Sequence, residues 1–282
     1  MLIFKKQSTL KEHLMPIWDT RKTIGFVPTM GALHEGHLSL LAQSVLENEI
    51  TIISIFVNPT QFNNPEDLKN YPRTWERDIK KVESVNSQIL IYAPEVDDIY
   101  GSETKSESFS FDGLEHEMEG KFRPGHFDGV GTIVSRLFEI IKPTKAYFGE
   151  KDFQQLQIVK KLVEKQKYPI QIIGCPIFRE SNGLAMSSRN ERLTSTERSD
   201  AALLFKTLQN AKQLFAQKSI TEVRKFVHQT FSNHPTFTLD YFEIAREDTL
   251  KTSKRKHKNV KYRAFIAVFV NNIRLIDTIS LN

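Results

Sequence analysis

The sequence predicts an α/β protein, with a Rossmann-like doubly wound parallel sheet in an N-terminal domain and a smaller α+β domain after it. Up to about residue 174, short apolar runs alternate with helical patterns, which is typical of parallel strands joined by crossover helices. Beyond residue 195, two helical patterns are followed by consecutive strand-like runs. A polar, irregular stretch after Pro176 separates the two regimes. We therefore expect one domain over residues 1–176 and a second over residues 177–282.

In the first domain, a helix over residues 8–22, with Ser8 or Thr9 as its N-cap, precedes the alternating series. Residues 50–57 are almost all apolar and β-branched, as in a strand that is buried on both faces of a parallel sheet. A further helix is predicted over residues 74–85. The predicted strands of this domain are 23–27, 50–57, 89–92, 144–148 and 170–174.

Two stretches of the first domain are harder to interpret. Residues 101–117 are polar, but Phe109, Phe111 and Leu114 suggest a short edge strand. Residues 120–132 contain four glycines, a lysine, an arginine and a histidine just before a helical pattern. This stretch is either a mobile loop that closes over a helix start or an ordinary glycine-rich connection, and both interpretations stay open.

The second domain should contain helices over residues 195–214 and 221–231, followed by strands at 236–244, 263–270 and 274–279. Residues 251–261, between two of these strands, are rich in lysine and arginine. This basic loop lacks the interleaved aromatic residues on which single-stranded nucleic acid stacks. We expect it to be a solvated connection between strands and predict no nucleic-acid partner.

Composition narrows the class of protein. The chain has 282 residues, 39% hydrophobic and 26% charged, as in an ordinary soluble globular protein. No apolar run is long enough to span a membrane, so we predict no membrane partner. A single cysteine cannot form an internal disulfide, which suits a reducing cytoplasm. The net charge of +5 suits anionic substrates.

The stretch Gly25–His37 contains the most informative motif. An apolar strand gives way to a glycine-containing loop and then to a helical pattern, where backbone amides and a helix N-terminus favour a bound anion. His34 and His37 share the first helical turn, so each could donate a hydrogen bond to a phosphate and carry positive charge near neutral pH. A zinc site is disfavoured, because the spacing is one residue short of the metalloprotease motif and no other Cys/His cluster exists.

Three further groups of polar residues follow predicted strands, at the sheet edge where open α/β sheets bind ligands. Asn58 and Gln61 follow the second strand, and turn chemistry accounts for Asn58 but poorly for Gln61. Lys151, Asp152 and Gln155 follow another strand, although each could be a solvated surface residue. The sequence Met186-Ser187-Ser188-Arg189 supplies two hydroxyls and a guanidinium to a triphosphate, or else a helix N-cap.

Together these motifs resemble the pantothenate synthetase (pantoate–β-alanine ligase) family. The resemblance extends from about residue 23 to residue 193, in the family's order and spacing. That family lies within the cytidylyltransferase-like nucleotidyltransferases, whose motifs are similar to those of class I aminoacyl-tRNA synthetases. Arg189 stands where that superfamily often has a lysine. The stretches that carry the resemblance are Pro28–His37, Phe56–Phe62, Tyr71–Arg73, Arg123–Val130, Phe148–Asp152 and Met186–Asn190.

The resemblance implies an ATP-dependent ligase that acts in two steps. Pantoate would attack the α-phosphate of ATP to give pantoyl adenylate and pyrophosphate, and the β-alanine amine would then displace AMP. It further implies Mg²⁺ as cofactor, a cytoplasmic enzyme and a homodimer formed through the N-terminal domain. No covalent nucleophile is needed, so catalysis would depend on positioning and charge stabilisation.

The resemblance also implies site residues. His37 would be the proton donor, and His34, Lys151 and Arg189 would act with it in catalysis. Gln61 would contact both pantoate and β-alanine, and Asp78 is a possible contact of the magnesium ion, although the sequence leaves the metal ligands unknown. The implied ATP-binding residues are Met30, Gly31, His34, His37, Gly149, Lys151, Asp152, Phe178, Met186, Ser187, Ser188 and Arg189. The implied substrate-binding residues are Gln61, Gln155, Met30, Asn58, Arg123 and His126.

Two other functional classes remain alternatives. A related adenylyl- or cytidylyltransferase would stop at nucleotide transfer, but the two glutamines and the long second domain argue against it. A non-catalytic RNA-binding module would use the basic loop. A synthetase that charges tRNA is disfavoured because no segment remains for anticodon recognition.

Overall fold

A computed structural model describes residues 1–232 and 234–282 and contains two β-sheets surrounded by helices. The strands are β1 (Ile3–Phe4), β2 (Ile24–Thr29), β3 (Ile50–Ile55), β4 (Leu90–Tyr92), β5 (Lys145–Gly149), β6 (Gln171–Cys175), β7 (Phe237–Arg246), β8 (Tyr262–Val270) and β9 (Ile273–Ser280). The α-helices are α1 (Gln7–Asp19), α2 (Glu35–Glu47), α3 (Pro65–Lys69), α4 (Trp75–Val85), α5 (Val96–Tyr100), α6 (Met118–Phe122), α7 (His126–Ile141), α8 (Phe153–Gln166), α9 (Ser195–Asp200), α10 (Leu203–Gln217) and α11 (Ile220–Phe231).

The larger sheet has six strands in the order β1-β4-β3-β2-β5-β6, and every pair is parallel. The chain leaves β2 toward β3 on one side and later crosses to β5 on the other. The carboxyl ends of β2, β3 and β5 therefore flank the point where the strand order reverses, which is where open α/β sheets bind ligands. The predicted α/β fold with a parallel sheet is confirmed.

The central strands are buried on both faces, as their apolar sequences predict. Phe26 and Ile52 face one core together with α7 and α8, whereas Val27 and Ile53 face a second core with α2 and α4. Each of these four side chains is fully buried. Burial of a large apolar side chain contributes about 1.5–3 kcal/mol, so these strands form a rigid floor for the residues at their carboxyl ends.

The smaller sheet, β7-β8-β9, is antiparallel. One of its faces packs on α10 and α11, where Phe242 and Ile266 belong to a separate hydrophobic core. Tyr241 and Phe265 on the opposite face join the core of the larger sheet, and the Phe265 ring lies 6.1 Å from that of Phe153. The two sheets thus share a buried boundary, and the division at residue 176 stays a prediction.

Two predicted elements of the first domain differ from the structure. The stretch around Phe109 is not a strand in the part of the chain that the structure describes, because its amide donates to the Asp128 carboxylate and not to another strand. Helix α1 begins at Gln7, without a side-chain cap from the serine or threonine that follows, since the Asp98 carboxylate accepts the Gln7 amide at 2.8 Å. Both differences arise from carboxylates that lie far away in the sequence.

Two further differences concern a helix that is interrupted and a strand that was not predicted. The helix predicted over residues 195–214 is interrupted by a turn at Ala201, although alanine favours helix. Strand β1 was not predicted at all, because two residues are too few to show a periodic pattern.

Residues 120–132 are mainly helical, so they are neither a mobile loop nor an ordinary connection. Helix α7 already begins at His126, and Gly129 and Gly131 lie inside it. A Cβ at Gly129 would lie 2.4 Å from the Thr60 carbonyl oxygen, and one at Gly131 would lie 2.9 Å from the Phe109 ring. Both glycines therefore serve close packing of α7 and not flexibility.

The basic loop, residues 251–261, connects β7 to β8, and its lysine and arginine side chains are exposed. Lys256 donates to the Phe215 carbonyl at the end of α10. The predicted solvated connection agrees with this placement.

Candidate active site

A cleft opens at the carboxyl ends of β2, β3 and β5 and contains most of the residues singled out in the sequence. Its remaining wall comes from α7 and from the polar stretch after β6. Gly31, Arg123 and His126 are not among the described residues that line it. The sequence-predicted residues that line the cleft are Met30, His34, His37, Asn58, Gln61, Gly149, Lys151, Asp152, Gln155, Phe178, Met186, Ser187, Ser188 and Arg189.

The loop between β2 and α2 has an unusual backbone that a neighbouring helix holds in place. Gly31 and Ala32 have φ of 79° and 48°, and the left-handed conformation is costly for alanine. The Asp78 carboxylate on α4 accepts the Ala32 amide at 2.9 Å and the Leu33 amide at 2.8 Å. Lys81, one turn further along α4, donates to the Leu33 carbonyl. These contacts fix the loop that presents the histidines.

His34 and His37 stack, with ring centroids 3.9 Å apart and planes 27° apart. The His34 amide donates to Nδ1 of His37 at 3.3 Å, so Nδ1 carries a lone pair and the ring hydrogen is on Nε2. Nδ1 of His34 is buried without a hydrogen-bond partner among the described residues. The pair can therefore offer at least two N–H groups to an anion in the cleft.

Burial works against the positive charge that the sequence led us to expect on these histidines. Burial lowers the pKa of His34 to about 2, with smaller contributions from the neighbouring His37 and then from the ammonium groups of Lys151 and Lys81. Burial also lowers the pKa of His37 to about 4, with the same two lysines adding to the effect and Asp152 opposing it. Both imidazoles are thus neutral near pH 7 until a negative charge enters the cleft.

Gln61 and Asn58 occupy the end of β3, and their amides interact with each other. The Asn58 amide nitrogen donates to the Gln61 side-chain oxygen at 3.1 Å, which turns the Gln61 amide nitrogen toward the Met30 sulfur at 3.0 Å. The Asn58 oxygen accepts hydroxyls from Thr60 and Tyr100. Asn58 is 1% exposed and its polar atoms are occupied, so it orients Gln61 and has no free group for a ligand.

The remaining predicted substrate residues divide into two groups. Gln155 lines the cleft, and its amide has no protein hydrogen-bond partner within residues 1–232 and 234–282. Arg123 and His126 instead line an adjoining small cavity that shares Lys151, Asp152 and Gln155 with the cleft. Both donate to the Gln61 carbonyl oxygen, so they act on a cleft residue from behind.

Lys151 and Asp152 follow β5 in a short turn and line the cleft near Gly149. The lysine ammonium lies 3.5 Å from the Asp152 carboxylate, and the lysine side chain is 17% exposed, compared with 46% for the aspartate. Phe178, after β6, exposes 43% of its surface beside the cleft. An exposed aromatic ring next to a lysine and a carboxylate suits an aromatic base, a phosphate and a hydroxylated sugar.

Residues 186–189 contact the β2–α2 loop and helix α3. The Ser188 hydroxyl donates to the Ala32 carbonyl at 3.0 Å, and the Ser187 hydroxyl accepts the Arg189 amide at 3.3 Å. The hydroxyl hydrogen of Ser188 is therefore committed to the backbone, whereas Ser187 only accepts and keeps its own hydroxyl hydrogen for another acceptor. The Arg189 guanidinium forms an ion pair with Asp67, at 2.6 Å between the closest atoms.

The Asp67–Arg189 pair sets the charge that this wall presents. Burial pushes the pKa of Asp67 up, but hydrogen bonding and the charges of Arg189 and Arg192 outweigh it, so the pKa lies below its usual value. Arg192 also contacts the carboxylate, at 3.0 Å. Two guanidiniums on one carboxylate leave a net positive charge, which an entering polyphosphate can use.

The structure offers little to a metal ion. No cluster of three or more His, Cys, Asp or Glu side chains with metal-ligand geometry occurs in the described part of the chain. Asp78, the possible metal contact, is 1% exposed and both of its oxygens accept backbone amides. Asp152 is the one carboxylate among the described residues that line the cleft.

Sequence reasoning missed the residues that support the site. The sequence predicted no role for Lys81 or Asp67, and it predicted Asp78 only as a possible magnesium contact. Asp78 and Lys81 lie three residues apart on one helix, so they share a face, but nothing in the sequence shows that this face packs on residues 31–34. Contacts between residues so far apart in the sequence become visible only once the fold is known.

Comparisons with known proteins find similarity over nearly the whole chain. The family model described as pantoate-beta-alanine ligase matches residues 2–280. A pantothenate synthetase of Flavobacterium psychrophilum is 64% identical over 281 residues, covering 100% of both chains, and one of Christiangramia forsetii is 51% identical with the same coverage.

Solved structures of similar proteins give the same picture. A crystal structure of pantothenate synthetase from Thermus thermophilus has a TM-score of 0.91 at 35% identity, covering 100% of this chain and 99% of that one. A pantoate-beta-alanine ligase from Francisella tularensis, complexed with beta-gamma ATP and beta-alanine, has a TM-score of 0.79 at 34% identity, with coverage of 100% and 98%. Separately, no helix among the described residues is long and apolar enough to cross a membrane.

Proposed function

The chain belongs to the pantoate–β-alanine ligase family, and from that membership we propose how its cleft performs the reaction. The protein is an ATP-dependent ligase that condenses pantoate with β-alanine to form pantothenate. The observation that carries the site assignment is the convergence of the stacked His34–His37 pair, Lys151 and Arg189 with the amides of Gln61 and Gln155 in one cleft.

We assign the ATP subsite to the side of the cleft formed by the β2–α2 loop, the β5–α8 turn and residues 178–189. The Nε2–H of His37 and an N–H of His34 would donate to phosphate oxygens, and Lys151 would neutralise them. Arg189 would leave Asp67, or be shared with it, to meet the terminal phosphates. Asp152 would accept from ribose hydroxyls, and Phe178 would lie along the adenine. The Ser187 hydroxyl, which only accepts within the protein, would donate to a phosphate oxygen. Ser188, whose hydroxyl hydrogen is bonded to the Ala32 carbonyl, would contribute mainly through its backbone.

Pantoate would lie between Gln61 and Gln155, next to Met30. An amide supplies a donor and an acceptor without a net charge, so it can hold the carboxylate while leaving it nucleophilic. The carboxylate oxygen would attack the α-phosphate, forming an acyl–phosphate bond as pyrophosphate leaves. The β-alanine amine would then attack the acyl carbon and expel AMP. The neutral histidines would stabilise charge that develops on the phosphate, and His37 would serve as proton donor once that charge has raised its pKa.

Magnesium is proposed as the companion of ATP. Mg²⁺ prefers oxygen ligands and commonly binds through one or two carboxylates together with substrate phosphates and water. Asp152, the carboxylate that lines the cleft in the described chain, is assigned to the ribose, and the oxygens of Asp78 are occupied by backbone amides. The ion would then be held by phosphate oxygens and water, and it would supply charge neutralisation at the triphosphate.

We also propose a homodimer formed through the N-terminal domain. Leu2 just before β1, Ile3 on β1 and Met15 on α1 are 51%, 40% and 58% exposed. Such apolar side chains beside an edge strand and on its neighbouring helix favour association. Light scattering of the purified chain tests this proposal, and a monomer at micromolar concentration would refute it. A cytoplasmic location is proposed on the single free cysteine, Cys175, and would be tested by cell fractionation.

The reaction itself gives the first prediction. With ATP, magnesium and pantoate but no β-alanine, pyrophosphate should appear in about one equivalent per site, because the adenylate stays bound until an amine arrives. AMP release should require β-alanine. Rapid-quench assays with labelled ATP measure both products. Sustained ADP formation would mean that a phosphoryl group is transferred, and the adenylate route would then be abandoned.

Gln61→Leu and Gln155→Leu test the pantoate subsite. Each change keeps approximate size but leaves substrate oxygens unsatisfied, at a cost of about 1–3 kcal/mol. The dissociation constant for pantoate should therefore rise while that for ATP stays nearly unchanged. Calorimetric titration with each ligand separates the two effects. If ATP affinity is lost while pantoate binding stays intact, these glutamines belong to the ATP subsite and the assignment to pantoate is wrong.

ATP binding should be accompanied by proton uptake near pH 6. The pKa of His37 is about 4 and that of His34 about 2 in the free protein, and the triphosphate should raise both. Between the free and bound pKa values, binding takes up a proton, so ATP affinity should increase as pH falls from about 7.5 to 6. Calorimetry in buffers of different ionisation enthalpy measures the uptake, and His37→Asn should reduce it. Equal heats in all buffers would contradict the assignment.

A further inference from the structure

The backbone of Gln61, and not only its amide, is held by other side chains. Its carbonyl oxygen accepts from Nδ1 of His126 at 2.9 Å and from Arg123 at 3.1 Å. Arg123 lies in the link between α6 and α7, and His126 is the first residue of α7. His126 is only 6% exposed, so this contact is shielded from water. The position of Gln61 therefore depends on where Arg123 and His126 lie.

Hydrogen-bond chemistry gives His126 one protonation state. A carbonyl oxygen can only accept, so Nδ1 must carry the hydrogen. Arg123 can only donate, and its guanidinium lies 3.3 Å from Nε2, so Nε2 must accept. A neutral imidazole follows, in agreement with burial and the Arg123 charge, which lower the pKa of His126 to about 3. The ring connects Arg123 to Gln61 with a defined orientation.

Arg123 is in turn held by Glu119, a carboxylate that is 7% exposed. The Glu119 oxygens accept two hydrogen bonds from Arg274, both at 2.8 Å, and one from the Tyr241 hydroxyl at 2.8 Å. Burial alone would raise the pKa of Glu119, but the hydrogen bonds and charge of Arg274 outweigh it and lower the pKa to about 2. The group is therefore a carboxylate throughout the physiological range.

This network crosses from one sheet to the other. Tyr241 lies on β7 and Arg274 on β9 of the antiparallel sheet, whereas Glu119 lies on α6 beside the parallel sheet. Buried ion pairs contribute little net stability, because desolvation offsets the attraction. A two-pronged arginine–carboxylate contact does, however, fix geometry. A network of this kind that ends on the backbone of a cleft residue suggests a positioning role.

We propose that Glu119 and Arg274 are positioning residues for pantoate binding, which hold Arg123 and His126 against the Gln61 carbonyl. The inference rests on the proposed assignment of Gln61 to the pantoate subsite. Through these contacts the antiparallel sheet sets the position of Gln61, and any shift of β9 relative to α6 displaces it. The β2–α2 loop is held separately by Asp78, so the histidine pair of the ATP subsite has a support of its own.

Glu119→Gln is the principal test, because it keeps the shape of the side chain and removes its charge. The KM for pantoate should rise roughly 10- to 100-fold, the cost of misplacing a binding group by about 1 Å, while the KM for ATP is unchanged. Arg274→Lys keeps the positive charge but loses the paired hydrogen bonds of the guanidinium to Glu119, so it should give a smaller rise in the KM for pantoate. Pyrophosphate release measures both constants, and thermal unfolding of each variant is recorded alongside.

A matched control distinguishes positioning from stability. Glu243→Gln breaks the ion pair with Arg224, which joins β7 to α11 and has no contact with Gln61. It should lower the melting temperature without changing the KM for pantoate. If Glu119→Gln fails to fold, Tyr241→Phe tests the proposal instead. It removes only the hydroxyl that donates to Glu119 and keeps the ring stacked 5.0 Å from Phe122. The KM for pantoate should rise about threefold to tenfold in this variant.

The outcomes separate this inference from the assignment on which it rests. If Gln61→Leu raises the KM for pantoate but Glu119→Gln and Tyr241→Phe do not, the network is structural and the inference is overturned. An equal rise in both KM values would also overturn it, since a general disturbance of the cleft would explain that result. If Gln61→Leu itself leaves pantoate binding intact, the pantoate subsite is elsewhere and the proposed assignment fails.

Discussion

His37→Ala should slow the formation of pantoyl adenylate by roughly 10²- to 10³-fold, the typical loss when one preorganised donor to a developing charge is removed. The Nδ1 atom of His37 accepts the His34 amide, so its Nε2–H is held ready before ATP binds. No reorganisation of the donor is then needed in the transition state. Single-turnover release of pyrophosphate measures the rate. His34→Ala should have a similar effect, because its imidazole stacks on His37.

Two comparisons make this result specific. Chemically supplied pantoyl adenylate should still react with β-alanine at close to the normal rate, because that step breaks no phosphoanhydride bond. His116→Ala provides the control, since this imidazole is 80% exposed and does not line the cleft in the described chain. Equal losses in adenylation and in acyl transfer would assign the two histidines a structural role.

The neutral state of the histidines changes how the cleft should be understood. Sequence motifs suggested two partly charged imidazoles, but burial and two lysines remove that charge in the free protein. The fixed positive charge instead comes from Lys151 and Arg189. Two neutral donors between them avoid the repulsion that four cations would create. The imidazoles can then gain a proton as the phosphate charge arrives.

Most of the fold followed from local sequence patterns. Residues 50–57 predict a buried strand because their side chains are apolar and β-branched on both faces, and β3 covers Ile50–Ile55. The alternation of strands with helices predicts parallel pairing. These features depend on neighbouring residues along the chain, so a single sequence carries them.

The errors occurred where distant contacts outweigh local preference. The glycines of residues 120–132 suggested either a mobile loop or an ordinary connection, yet Gly129 and Gly131 lie inside α7. They are glycines because a larger residue at either position would collide with Thr60 or Phe109. Phe109 has an aromatic, strand-like neighbourhood, but its amide donates to Asp128. A strand needs a partner edge, and the sequence does not reveal whether one is available.

The same distinction applies to the site. The residues at strand ends could be predicted, because the carboxyl ends of parallel strands meet at one edge. The residues that orient them could not. Asn58 was expected to bind substrate, but its polar atoms are bonded to Gln61, Thr60 and Tyr100. Arg123 was expected on the pantoate side, and it donates to the Gln61 carbonyl there, a contact that the sequence does not reveal.

Asp78→Asn should both destabilise the protein and impair adenylation. The Ala32 and Leu33 amides donate to separate carboxylate oxygens, and an asparagine can present only one acceptor. One amide would then face an NH₂ group, so the free energy of unfolding should fall by about 2–4 kcal/mol. Because Ala32 has φ of 48°, the freed loop should relax and move His34 and His37. Adenylation should fall roughly 10²-fold.

Thr74→Val and a magnesium titration separate the possible roles of Asp78. Thr74→Val removes only the hydroxyl that donates to Asp78 at 3.0 Å, so it should cost about 1 kcal/mol and leave adenylation intact. Denaturant unfolding and pyrophosphate release are measured for both variants. If Asp78 bound magnesium, excess Mg²⁺ would restore the Asp78→Asn rate. We expect no restoration, because a misplaced loop cannot be corrected by an ion, and full recovery would return Asp78 to the metal site.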